Sequence, residues 1–270
     1  MKKNFILYVF ALTVFVGFSQ KSDSKSTANK QVQLLDTTFV VAGASTFKHK
    51  VWVYLPKNYA QNNKSYPVLY MQDGQNLFDV STSYAGEWEV DESLDAIFDT
   101  TGRGFILVGI ENAHKDRMNE YTPWAHEKYG GGQGDKYMNF LATSLKPYID
   151  SRFRTKKSAK NTALIGSSLG GLISFYGGFE YPEVFGKIGA FSTSFWFSEK
   201  VGDFIKQKAK KSDVKLYLIV GKKEGYNMDV SNKEAYDLLL ESGFNKKQLH
   251  FQIDPEGEHN EVYWKSAFPD

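Results

Sequence analysis

The chain contains no cysteine. Disulfides, a thiolate nucleophile and cysteine-ligated metal sites are therefore excluded, and the core must stabilise itself by packing. Charge of one sign is also lacking, with a formal net charge of only +2. No long-range field favours nucleic acid or an anionic membrane. Beyond the N-terminus there is no long apolar run, so no stable membrane span is expected in the mature chain. What is present is ordinary for a soluble protein: 41% hydrophobic and 24% charged residues. The length, 270 residues, suits one domain with a full core. Phenylalanine and tyrosine are plentiful, 21 and 16 residues, so aromatic packing and aromatic pocket walls are expected.

The N-terminus reads as an export signal. Lys2 and Lys3 precede a nearly unbroken apolar run over residues 5–16, too short to span a bilayer. Gly17, Phe18 and Ser19 place small residues for cleavage before Gln20. Residues 1–19 are thus expected to be a signal peptide, with an uncleaved N-terminal anchor as the alternative, and the protein to be periplasmic or secreted. Loss of Lys2 and Lys3 brings the 33 basic residues level with the 31 acidic ones, so the mature chain is near neutral. Residues 20–32, rich in Ser and Lys, are expected to form a disordered leader. One domain should then run over 33–270.

Short β-branched and apolar runs at 49–55, 67–71, 105–110, 162–165, 187–191, 215–220 and 249–253 read as strands. Helical spacing occurs at 90–98, 137–149, 169–179 and 233–240, and a long polar loop is expected over 111–134. Strands alternating with helices predict an α/β fold, a mainly parallel central sheet with helices on both faces. Sites in such sheets form at the carboxyl ends of the strands.

At one such end stands Gly166-Ser167-Ser168-Leu169-Gly170-Gly171, between a predicted strand and a predicted helix. This is a G-x-S-x-G nucleophile elbow in its strand–turn–helix context, with Ser168 as the nucleophile. The turn is tight, so neighbours two positions away on either side must be almost free of side chain. A serine needs a general base, and in elbow sites the order along the chain is Ser, acid, His. Of five histidines, His259 follows the last predicted strand and fits; His114 and His126 precede the serine. Glu224 is the first carboxylate after the strand 215–220 and is the candidate acid, with Asp229 as the alternative. A solvated charge paired with Lys222 or Lys223 is the plainer reading of Glu224. The oxyanion-hole amides are assigned to Leu169, just after the nucleophile, and to Gln75 in the turn Asp73-Gly74-Gln75-Asn76. Trp88, Tyr121, Trp124 and Trp196 are candidate substrate-binding walls. No cofactor or metal is called for by this set.

The segments Tyr66-Pro67-Val68-Leu69-Tyr70-Met71-Gln72-Asp73-Gly74-Gln75-Asn76-Leu77-Phe78, Gly166 to Gly171, Tyr181-Pro182-Glu183-Val184-Phe185 and His259-Asn260-Glu261 together resemble an esterase family of α/β-hydrolases. That family includes esterase D, enterochelin-type siderophore esterases, feruloyl and acetyl-xylan esterases, and mycolyltransferases. Arg117 with Glu120-Tyr121-Thr122-Pro123, and Ser192 to Trp196, also look familial. The resemblance runs from about Thr37 onward. It implies an α/β-hydrolase fold and a serine carboxylic-ester hydrolase acting without metal, with Ser168, Glu224 and His259 as nucleophile, acid and base. The substrate would be a small-molecule or glycan-linked ester, such as a siderophore trilactone or a feruloyl or acetyl-xylan group. Many relatives have His-Gly at Asp73-Gly74, and the acid is often Asp. Two other readings stand beside hydrolysis: acyl transfer to an alcohol, and a ligand-binding protein on a hydrolase scaffold. The latter would show no serine acylation.

Overall fold

Alternate residues of the central strands enter two different cores. Val68, Tyr70, Ile106, Val108, Leu164, Ile188 and Leu218 face one cluster, while Met71, Leu107, Ile165, Phe191 and Ile219 face the other. This alternation is what a sheet covered on both faces requires. The computed structural model describes residues 25–270. The expected signal peptide, and the leader up to residue 24, lie outside the described residues.

The sheet has eight strands in the order β1-β2-β4-β3-β5-β6-β7-β8. These are β1 (Val32–Leu34), β2 (Val51–Tyr54), β3 (Val68–Met71), β4 (Ile106–Ile110), β5 (Thr162–Ser167), β6 (Lys187–Phe191), β7 (Lys215–Gly221) and β8 (Leu249–Asp254). From β4 to β8 all neighbours are parallel; β1 and β2 run antiparallel at one edge. The mainly parallel α/β architecture is that of the α/β-hydrolase fold. One core gathers α1 (Val90–Thr101) and α8 (Glu261–Ala267) on its face of the sheet. The larger core takes α2 (Arg117–Tyr121), α3 (Gly134–Phe140), α4 (Lys146–Arg152), α5 (Leu169–Glu180), α6 (Lys200–Lys208) and α7 (Met228–Glu241). Helix α1 stops at Gly102, whose φ of 68° a side chain would strain and whose amide closes the last turn on Phe98 O.

Two local expectations are corrected. The loop expected over 111–134 contains α2, which is only five residues long and is held by the full burial of Glu120 and Tyr121. Order also begins before residue 33. Asn29 N–H donates to Asp91 (2.8 Å), Ser26 and Thr27 bond to Asp79 and Glu87, and β1 starts at Val32. Most of these anchors are polar side chains, with Ala28 and Val32 packed on the smaller core, which is why the composition reads as disordered. No helix among the described residues is long and apolar enough to cross a membrane.

Candidate active site

Strand β5 is buried along its whole length and delivers the chain into Ser168 at its carboxyl end. Ser168 has φ 58° and ψ −123°, a conformation that costs free energy and persists only when its surroundings enforce it. They do so through the backbone: Ser168 N–H donates to Phe191 O (2.9 Å), and Ser168 O accepts from Ser194 N–H (3.2 Å). A Cβ on Gly166 would lie 2.5 Å from Gly170 O, so only glycine lets strand and helix meet this closely. Leu169 is the first residue of α5, so its amide precedes the first intrahelical acceptor.

The loop after β7 carries Glu224, whose side chain is fully buried. Its Oε2 lies 2.9 Å from His259 Nδ1. Its Oε1 accepts from Ser192 O–H and from the Gly221 amide. Ser192 Oγ in turn accepts from Trp264 Nε1 at 2.8 Å. His259 sits edge-on to the Trp264 ring, centroids 5.0 Å apart, and its side chain remains 32% exposed, which leaves the ring reachable from the cleft. Asp229 is ion-paired with Lys222, and Lys223 with Glu256, so neither lysine engages Glu224. Ser168 Oγ hydrogen-bonds to Ser194 Oγ at 3.3 Å. Ser168 and His259 line one cleft of about 980 Å³, at the upper end of the range for small-molecule pockets.

Opposite the elbow, β3 ends in the turn carrying Asp73 to Asn76. Asp73 adopts a left-handed conformation, φ 57°. Arg117 clamps its carboxylate bidentately (Nε 2.7 Å, Nη2 2.8 Å), and Asn112 Nδ2 adds a third bond at 2.6 Å. Gly74 passes so close to β4 that a Cβ would stand 2.6 Å from Gly109 C. The one-turn helix that follows is closed by Asn76 N–H to Asp73 O and Leu77 N–H to Gly74 O, leaving the Gln75 amide outside its bonds. Glu261 lines the cleft as well; burial, and then the charge of Asp73, push its carboxyl above the usual range, against His259 and Arg117.

Of the four aromatic candidates, Trp88 lines the cleft, its ring tilted against that of Trp264 with centroids 5.7 Å apart. The other three do not form its lining. Tyr121 is buried beneath Arg117, and its hydroxyl accepts the Asp73 amide proton. Trp124 packs into the larger core against Tyr176 and Phe204. Trp196 is 46% exposed beside Tyr129. The aromatic walls are completed instead by Trp52 and Trp264, which sequence reasoning left out. Trp264 could have been found from its place on the buried stripe of α8, one turn beyond His259. Trp52 alternates with buried Val51 and Val53 and so points away from the larger core.

The sequence model of the family described as Putative esterase matches residues 44–270. YbbA, an uncharacterised protein of Bacillus subtilis (strain 168), is 28% identical over 230 residues, 80% of this chain and 88% of that one. An endo-1,4-beta-xylanase/feruloyl esterase of Xylanibacter ruminicola is 29% identical over 222 residues, 79% of this chain and 27% of that protein. The siderophore hydrolase EstA of Aspergillus nidulans superposes with a TM-score of 0.72 at 19% identity, covering 88% of this chain and 92% of EstA, a likeness of fold. The chain belongs to this esterase family and is an ester hydrolase.

Proposed function

We propose that the protein is a serine carboxylic-ester hydrolase working through Ser168, His259 and Glu224 and an acyl-enzyme. The observation that carries this reading is the 2.9 Å bond from a buried Glu224 to His259, in the same cleft as a strained elbow serine. On ester binding, Ser168 Oγ turns from Ser194 toward His259 Nε2, the kind of tightening that apo sites often need. Oγ attacks the carbonyl carbon while His259 takes its proton. The Leu169 and Gln75 amides receive the oxyanion. His259 then protonates the alcohol oxygen as the C–O bond breaks, leaving an acyl group on Ser168. Water, deprotonated by His259, repeats the attack, and the carboxylic acid departs as Ser168 regains its proton. Glu224 holds Nδ1–H throughout and stabilises the imidazolium.

The cleft wall of Trp52, Trp88 and Trp264 favours esters with a flat or aromatic acyl part. The feruloyl esterase relative and the siderophore hydrolase of like fold bracket that choice, one glycan-linked and one a small molecule. The signal-like residues 1–19 support an exported enzyme cleaved before Gln20, which N-terminal sequencing of the mature protein checks. The central test is labelling with a fluorophosphonate probe, located by peptide mass spectrometry. Label on Ser168, lost in Ser168→Ala, supports the reading. A folded protein that takes no label and hydrolyses none of a panel of feruloyl, acetyl and siderophore esters sinks it, and leaves a binding protein on a hydrolase scaffold. Diversion of product by added alcohols would mark an acyltransferase instead.

A further inference from the structure

Outside the cleft, Glu87, Asp91 and Glu92 converge at the start of α1, each with a carboxylate oxygen within 4.8 Å of the others'. Like charges this close repel strongly unless something positive lies among them. Among the described residues, no ion pair includes any of the three. The second observation is the burial of Asp91. Asp91 is fully buried, and its Oδ1 has no hydrogen-bond donor; Glu87 and Glu92 are less buried, but Glu87 Oε1 and Glu92 Oε2 are shielded from solvent and also lack a donor. Buried polar atoms are almost always satisfied, so a buried carboxylate oxygen without a donor, within a group of three clustered carboxylates, describes a set of ligands.

We propose that Glu87, Asp91 and Glu92 bind a calcium ion. The donor set is all oxygen, which suits a hard divalent cation and excludes a preference for soft metals. Calcium takes roughly 6–8 oxygens in a flexible arrangement, so three carboxylates leave places for water. Magnesium is disfavoured because its small octahedron holds its waters tightly and rarely sits in a cluster dominated by protein carboxylates. The other oxygens of Glu87 and Asp91 are already in use. Glu87 Oε2 accepts from Thr27 Oγ1 (2.9 Å), and Asp91 Oδ2 accepts from Asn29 N–H (2.8 Å). A bound ion therefore ties three things together: the segment around Thr27 and Asn29, the first turn of α1, and the stretch leading into it. That stretch includes Trp88 and follows residues 81–85, all of which line the cleft. The ion is a staple behind one cleft wall, distant in role from the reacting atoms, and it does not depend on the serine mechanism.

The test uses the intact mature protein stripped with chelator. Terbium serves as the calcium probe, with excitation of tryptophan, since Trp88 is adjacent to Glu87 in the chain. Terbium emission should appear on titration and be displaced by calcium, and the melting temperature should rise with calcium concentration. Asp91→Asn and Glu92→Gln should each weaken terbium binding at least tenfold and remove the calcium-dependent rise. Glu92→Gln keeps the Asp91–Asn29 bond, so it stands if Asp91→Asn folds poorly. No emission and no thermal response to millimolar calcium, a response to magnesium alone, or a calcium response unchanged in Glu92→Gln would each overturn the proposal. The first of these outcomes would mean that the carboxylates share protons instead.

Discussion

Ser168 and His259 face one cleft but are held in opposite ways. Ser168 is fixed by the covalent path of the chain: a buried strand ends, a helix begins, and backbone bonds to Phe191 and Ser194 lock the corner. His259 stands on a turn between β8 and α8, and its ring is placed by a relay of side chains. Trp264 bonds Ser192, Ser192 and the Gly221 amide bond Glu224, and Glu224 bonds the imidazole. Backbone-fixed geometry is all or nothing, because one added methyl group collides with a main-chain oxygen. Relay-fixed geometry can be weakened by degrees, because each link supplies only part of the orientation.

This contrast can be tested link by link. Ser168→Ala should lower kcat by about 10⁴-fold or more with an unchanged circular dichroism spectrum; retention of a tenth of the activity would refute the nucleophile. Glu224→Gln should cost about 10²–10⁴-fold in kcat, whereas Asp229→Ala should change it by less than about twofold. If Asp229→Ala is the more damaging, the acid is misassigned. On the backbone side, Gly166→Ala should destabilise by about 1–3 kcal/mol in urea unfolding and reduce activity at the same time. A fully stable, fully active Gly166→Ala would mean that the elbow has slack. On the relay side, Trp264→Phe removes the indole N–H and part of the ring while keeping an aromatic side chain. It should cost roughly 3–10-fold in kcat, with the Glu224→Gln/Trp264→Phe double variant close to Glu224→Gln alone; additive losses would show that the two do not belong to one relay.

The smallest effect concerns a histidine outside both arrangements. His49 is buried with Nδ1 2.7 Å from Glu111 O and Nε2 3.2 Å from Glu120 Oε1, so both ring nitrogens face acceptors. Burial opposes its charge, but the Glu120 bond and charge and the Glu111 carbonyl outweigh it, and its pKa is raised above 6.5. A raised histidine contributes stability that is complete below the unfolded value and is lost as pH rises through the folded one. His49→Gln should therefore flatten the pH dependence of the urea midpoint above about pH 6.5. Parallel profiles for the two proteins would show that His49 is neutral in the fold.

The same contrast explains what could be read from the residues alone. Glycines two places either side of Ser168 encode a backbone corner directly, and short apolar runs encode strands buried on both faces. Relay contacts leave no such trace. Ser192 and Trp264 are far from Glu224 in sequence, and nothing in their spacing couples them. Aromatic content announces burial without saying on which side of the sheet. Tyr121 and Trp124 consequently packed behind the cleft, while Trp52, on a strand with alternating neighbours, formed part of its wall. Helix α2 escaped notice because five residues carry too little periodicity. The carboxylates Glu87, Asp91 and Glu92 carry no motif spacing, and only the folded chain shows that they cluster around a buried Asp91.

The clamp of Arg117 on Asp73 has a consequence for inheritance. A bare carboxylate beside the proposed oxyanion amides would repel the charge that develops there, and the guanidinium cancels it. Conversely, Arg117 without Asp73 would be a cation packed on Tyr121 with its main partner gone. Neither residue can be exchanged first without loss. A change at either position alone therefore leaves the other's charge uncompensated beside the oxyanion amides, and only their joint replacement by uncharged residues restores the balance.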